Sequence, residues 1–127
     1  MRTYCIADIG ANHDGQYSRM LEAIDEAVHA GCSACKFQWT SDPVRMAKRR
    51  GRAYADGYAE IYAKYLAWPS KWHEELAAHC RQRCIDYMCT VFLPEDVAVV
   101  APHVARFKVA SFEATDREFL VVHDGFG

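Results

Sequence analysis

The stretch YCIADIGANHDG, residues 4–15, decides the fold. It starts as an apolar run suited to a buried strand, then breaks at Asp8 into small and polar residues that end in an Asp-Gly turn. Side chains alternate faces along a strand, so Tyr4, Ile6 and Asp8 share one face while Cys5, Ala7 and Ile9 share the other. A carboxylate therefore sits at the carboxyl end of an otherwise apolar strand.

The same design recurs along the chain. SRMLEAIDEAVHAG places Leu21, Ile24, Ala27 and Val28 on one helical face, with Ser18 as the expected cap and Gly31 as the left-handed stop. SACKFQW, residues 33–39, reads as a second strand, and residues 40–68 as a long basic, Tyr-rich loop with some helix. PSKWHEELAAHCRQRC restores helical spacing through Trp72, Leu76 and Cys80, with Ser70 as its expected cap. A third strand at 85–92, a short helix at 94–102, a fourth strand at 105–111 and a helix at 116–125 follow. Strand and helix thus alternate four times, which predicts a parallel sheet ordered one to four, since parallel neighbours need a crossover between them.

Parity extends the argument to all four strands. Lys36 and Gln38 share a face with Ala34, Thr90 with Met88, and Lys108 with Ala110. The opposite face carries Cys5, Cys35, Phe37, Tyr87, Cys89, Phe107 and Val109, as a helix-covered surface requires. Parallel barrels and open doubly wound sheets alike place their sites at the carboxyl ends of the strands. Asp8, Lys36, Thr90 and Lys108 are accordingly expected to face a common space. Two lysines with the hydroxyls of Thr90 and Ser111 suit an anion such as a phosphate or carboxylate. Asp8 and Glu113 supply carboxylates for proton transfer beside them.

Composition narrows the class. The 127 residues carry 15 Lys and Arg against 17 Asp and Glu, a net charge of −2, which predicts one globular unit with neither nucleic acid nor membrane as partner. No signal peptide or spanning segment is read, so the expected location is the cytoplasm, where six cysteines stay reduced. Neither a Gly-rich dinucleotide fingerprint nor a Walker loop is present. CSAC at 32–35 and HCRQRC at 79–84 raise a zinc or redox site, but this CxxC enters a strand instead of opening a helix, so packed thiols are expected. RMAKRRGR at 45–52, near Tyr54, Tyr58, Tyr62 and Tyr65, raises an RNA-binding module and is read instead as a solvated loop. His13 is read as anchoring its own loop.

IADIGANHDG, AGCSACKFQ, CTVF and FKVASFEATD together resemble the successive blocks of the sialic acid synthase family, in order and spacing over essentially the whole chain. The resemblance implies a (β/α)8 TIM barrel, of which this chain supplies about the first four units. The rest of the barrel and a carboxyl-terminal antifreeze-like domain would lie outside residues 1–127. It implies condensation of phosphoenolpyruvate with an N-acetylated hexosamine, N-acetylmannosamine or a relative, with release of phosphate. It also implies a manganese or magnesium ion held by ligands beyond this segment, and a homodimeric full-length form. Lys36, Gln38, Thr90 and Ser111 fall on substrate-binding positions, and Asp8, Lys108 and Glu113 on catalytic ones. The chain departs from the family pattern at Asp8, where Glu is usual, and at Trp39, Val91 and Phe112. A diverged, non-catalytic barrel remnant is the alternative, and half a barrel alone is expected to be inactive, with Ile6 and Met88 uncovered.

Overall fold

The computed structural model describes residues 3–51 and 57–126. The opening stretch forms β1 (Ile6–Gly10), and a turn leads into α1 (Tyr17–His29). β2 (Ala34–Trp39) follows, then α2 (Pro43–Arg49), α3 (Tyr58–Tyr65) and α4 (Trp72–Gln82). β3 (Asp86–Val91), α5 (Pro94–Val100), a 3-10 turn (Ala101–His103) and α6 (Arg117–Asp124) complete the order. The three strands form one parallel sheet in the order β1-β2-β3, with β2 in the middle. Among the described residues no helix is long and apolar enough to cross a membrane.

Register follows from the hydrophobic pattern. Asp8 lies opposite Lys36, Lys36 opposite Met88, and Gln38 opposite Thr90, so all five side chains belong to one face. The other face is apolar and packs under the helices: Cys35, Phe37, Tyr87 and Cys89 join Met20 and Ile24 of α1 and Leu76 and Cys80 of α4. Burial pushes the thiols of Cys35 and Cys80 up to about 12, which suits packing groups and not nucleophiles. Cys32 is half-buried beside them, and His79 Nε2 contacts Asp25 Oδ1 at 2.9 Å.

Trp39 and Val91, two of the departures from the family pattern, lie opposite each other on this helix-covered face and are buried. The Trp39 indole donates to the Trp68 carbonyl at 2.8 Å, and the Trp68 indole donates to the Gln38 carbonyl at 3.2 Å. Both substitutions are therefore matters of packing.

Four expectations need correction. Residues 105–111 form no strand: among the described residues no ladder bond joins them to β3. Phe107 and Val109 do turn to the core, and Arg106 reaches Tyr4 and Asp86. Side-chain packing and these polar contacts hold the segment in place of ladder bonds. The basic loop is largely helical, because Asp42 caps α2 by accepting from the Arg45 amide at 3.0 Å and Pro43 fills its first turn. Neither Ser18 nor Ser70 caps its helix through its side chain; Gln16 and Lys71 occupy those positions, while Gly31 adopts the expected left-handed conformation. Ile6 is exposed as expected, but Met88 is buried. Arg52 and Tyr54 lie outside the described residues.

His73 at the start of α4 is fully buried among Trp39, Trp68 and Tyr87, and its Nδ1 is hydrogen-bonded to the Tyr87 hydroxyl at 2.8 Å. Burial, reinforced by His103, pulls its pKa down from 6.5 to about 3. The neutral ring is thus the native form, and the stability it contributes is complete above pH 6.5 and lost as pH falls toward 3. Urea unfolding between pH 6.5 and 5 should therefore show a loss on the order of 1.4 kcal/mol per pH unit from this ring, which His73→Gln removes while the buried His13 keeps its own share.

Candidate functional site

At the carboxyl end of β1, the chain must leave the sheet while keeping Asp8 over β2. Gly10 does this with φ +57° at a register shift in the β1–β2 pairing, and a Cβ there would sit 3.7 Å from Asp8 Oδ1 and 3.9 Å from the Gln38 amide. Asp8 and Gln38 consequently converge on one spot.

Lys36 lies at the centre of this face. Its side chain is only 7% exposed, and its Nζ donates to Asp8 Oδ1 at 2.7 Å, while the Asp8 carboxylate is 64% exposed. An ammonium has three protons, so two remain for a ligand once Asp8 has taken one. Thr90, on the neighbouring strand and opposite Gln38, is 1% exposed, and among the described residues its Oγ1 has no hydrogen-bond partner. A buried hydroxyl left unpaired is costly in the absence of a ligand. Charge, hydroxyl and amide thus share one face of the sheet.

The loop after β1 closes over this end. His13 is buried, its Nδ1 accepts from the Gly15 amide at 3.1 Å, and burial lowers its pKa, so it anchors the loop as a neutral ring. Gly15 (φ +70°) approaches α3 so closely that a Cβ would lie 2.7 Å from the Lys64 carbonyl oxygen.

Glu113 is placed differently from the sequence reading. It sits in the turn before α6, with its side chain 3% exposed, and both its oxygens accept from Arg50, at 2.9 Å from Nε and 3.1 Å from Nη2. Arg49 pairs with Asp116, the cap of α6, and Arg45 with Glu95 of α5. Within the basic run, Arg45 and Arg49 of α2 and Arg50 just after it are thus ion-paired, where a solvated loop was expected. Arg50 is the residue that sequence reasoning missed; its only signal was the lone arginine-rich stretch at 45–52. Lys108 and Ser111 are exposed, and Lys108 Nζ donates to the Val109 carbonyl at 2.7 Å, so neither joins the Lys36 cluster here. Phe112 is 62% exposed, and the Arg50 guanidinium lies 4.9 Å from its ring centre. A cavity of about 390 Å3 lined by Trp39, Ser41, Trp68 and Ser70 belongs to the helix-covered side and is separate from this site.

The fold is a parallel α/β sheet with a buried lysine ammonium and an unpaired hydroxyl at the carboxyl ends of its strands. A protein-family model for the NeuB family matches residues 23–125, and the chain belongs to that family. It is similar to the N-acetylneuraminate-9-phosphate synthase of Drosophila melanogaster, at 27% identity over 121 residues, covering 89% of this chain and 32% of that one. It is likewise similar to a pseudaminic acid synthase of Campylobacter jejuni, at 28% identity over 127 residues, covering 94% and 37%. The chain therefore spans about a third of the length of these curated relatives. The crystal structure of the N-acetylneuraminic acid synthetase of Leptospira borgpetersenii, in complex with citrate, shares the fold with a TM-score of 0.85 at 22% identity, over 99% of this chain and 42% of that one. The spore coat polysaccharide biosynthesis protein SpsE of Bacillus subtilis superposes with a TM-score of 0.72 at 26% identity, over 94% and 32%.

Thr90 offers a test of the site that needs no substrate. Thr90→Val keeps the shape and removes the unpaired hydroxyl, so thermal unfolding should show a chain unchanged or more stable by about 1 kcal/mol. A loss of 2 kcal/mol or more would mean that the hydroxyl has a partner in the folded chain.

Proposed function

We propose that this chain carries the phosphoenolpyruvate side of a nonulosonic acid synthase site, within a (β/α)8 barrel that residues outside 1–127 complete. The observation that carries this reading is the buried Lys36 ammonium, with protons to spare, on the same face as the unpaired Thr90 hydroxyl. Membership of the NeuB family supports it. Lys36, Gln38, Thr90 and Ser111 hold phosphoenolpyruvate, chiefly by its phosphate. Lys108 and Glu113 stand beside the reacting carbons once residues 105–111 pair as a fourth strand of the completed barrel.

In this reading carbon 3 of phosphoenolpyruvate forms a bond to the aldehyde carbon of an open-chain N-acetylated hexosamine. Water adds at carbon 2, and the tetrahedral intermediate loses inorganic phosphate to leave a 2-keto acid. Lys36 stabilises charge on the phosphate through a fixed, nearly dry electrostatic contact. Asp8 or Glu113 handles the protons of the aldehyde oxygen and the added water.

The divalent cation implied by the family resemblance would take its ligands from outside residues 1–127, not from the described residues. Among them no three His, Cys, Asp or Glu side chains form a metal-holding group, and Asp8 and Glu113 are each engaged by a cationic side chain. The roles assigned to this chain concern the anion and the protons.

In the full-length protein, phosphate release from phosphoenolpyruvate plus N-acetylmannosamine should be measurable. Lys36→Ala should weaken phosphoenolpyruvate by about 1.5–3 kcal/mol, roughly 10- to 150-fold, and leave the sugar nearly untouched. Equal losses for both substrates would contradict the anion role, and no phosphate release with any N-acetylated hexosamine would favour a non-catalytic relative.

A further inference from the structure

Arg50 follows α2 and meets Glu113 from across the mouth of the sheet. Both guanidinium contacts are in hydrogen-bond range, at 2.9 and 3.1 Å, and the Glu113 carboxylate is almost wholly buried. A planar fork that takes both carboxylate oxygens fixes the plane of the acid as well as its charge, which a lysine ammonium does not do. The guanidinium is itself flanked by aromatic rings: it lies 4.9 Å from the ring centres of both Phe92 and Phe112. The adjacent Arg49 pairs with Asp116, so the turn that carries Glu113 is held at two points by one short basic segment.

We propose that Arg50 is the positioning residue for Glu113, and that Phe112, bulky where the family pattern has glycine, completes the aromatic clamp that aligns it. Phe112 is mostly exposed, so its burial is not what holds it against the guanidinium. The inference rests on the reading of Glu113 as a group beside the reacting carbons and deepens that reading. It assigns control of the second carboxylate to the segment after β2 instead of to the strands.

Two substitutions separate geometry from charge in the full-length protein. Arg50→Lys keeps the charge and removes the fork, whereas Arg50→Met keeps the stem between the rings and removes the charge. Arg50→Lys should lower kcat on the order of tenfold or more, because a misplaced acid is a poor one, while the KM for phosphoenolpyruvate stays within about twofold. In a Glu113→Gln background the same substitution should cost less than about twofold, since the group through which it acts has gone. Equal losses in both backgrounds, or no loss in either, would overturn the proposal.

A second measurement does not depend on turnover. The carboxyl carbon-13 resonance of Glu113, assigned by its disappearance in Glu113→Gln, should shift in both Arg50 variants while amides distant from residues 110–116 keep their positions. An unmoved resonance overturns the proposal even where activity falls. A shifted resonance in a protein that releases no phosphate upholds the Arg50 assignment and counts against the functional reading instead.

Discussion

The contact between Lys36 and Asp8 governs the geometry of this end of the molecule. A lysine on the middle strand of a sheet has to bury most of its length, and a buried ammonium needs a partner of opposite charge. Asp8 supplies it from the neighbouring strand at the same register position. Slipping β1 by one residue would turn Asp8 into the apolar layer under the helices and leave Lys36 uncompensated, so the ion pair and the hydrophobic face select the same register. Gly10 then has to divert the chain immediately, which brings the next loop over the site and seats His13 in the core.

Much of this was legible in the sequence because it depends on short-range alternation. Parity alone put Asp8, Lys36, Gln38 and Thr90 on one face and Phe37, Tyr87 and Cys89 on the other, and the register agrees. The segment at 105–111 has the same alternation, and Phe107 and Val109 point to the core as alternation demands. What alternation does not encode is a hydrogen-bonding neighbour, and a strand is defined by its neighbours. The helix caps are another difference: Ser18 and Ser70 are good capping residues by type, but Gln16 and Lys71 hold the cap positions, and neither makes a side-chain cap bond.

The region after β2 was the least legible part of the chain. Its charge suggested solvent, yet Arg45, Arg49 and Arg50 each meet a carboxylate far along the chain, on α5, at the cap of α6 and in the turn before it. Pairings of that kind follow no local period, and no motif marks them. Only the fold shows that a run of like charge is divided among three separate acids, each arginine neutralised on a different element.

That division has a consequence for how the chain is made. Arg49 and Arg50 precede their carboxylates by 67 and 63 residues. At the usual 5–20 residues per second of synthesis, they emerge on the order of 3 to 13 s before those carboxylates do. During that interval the two arginines are without the partners they hold in the folded chain, until the turn bearing Glu113 and Asp116 arrives.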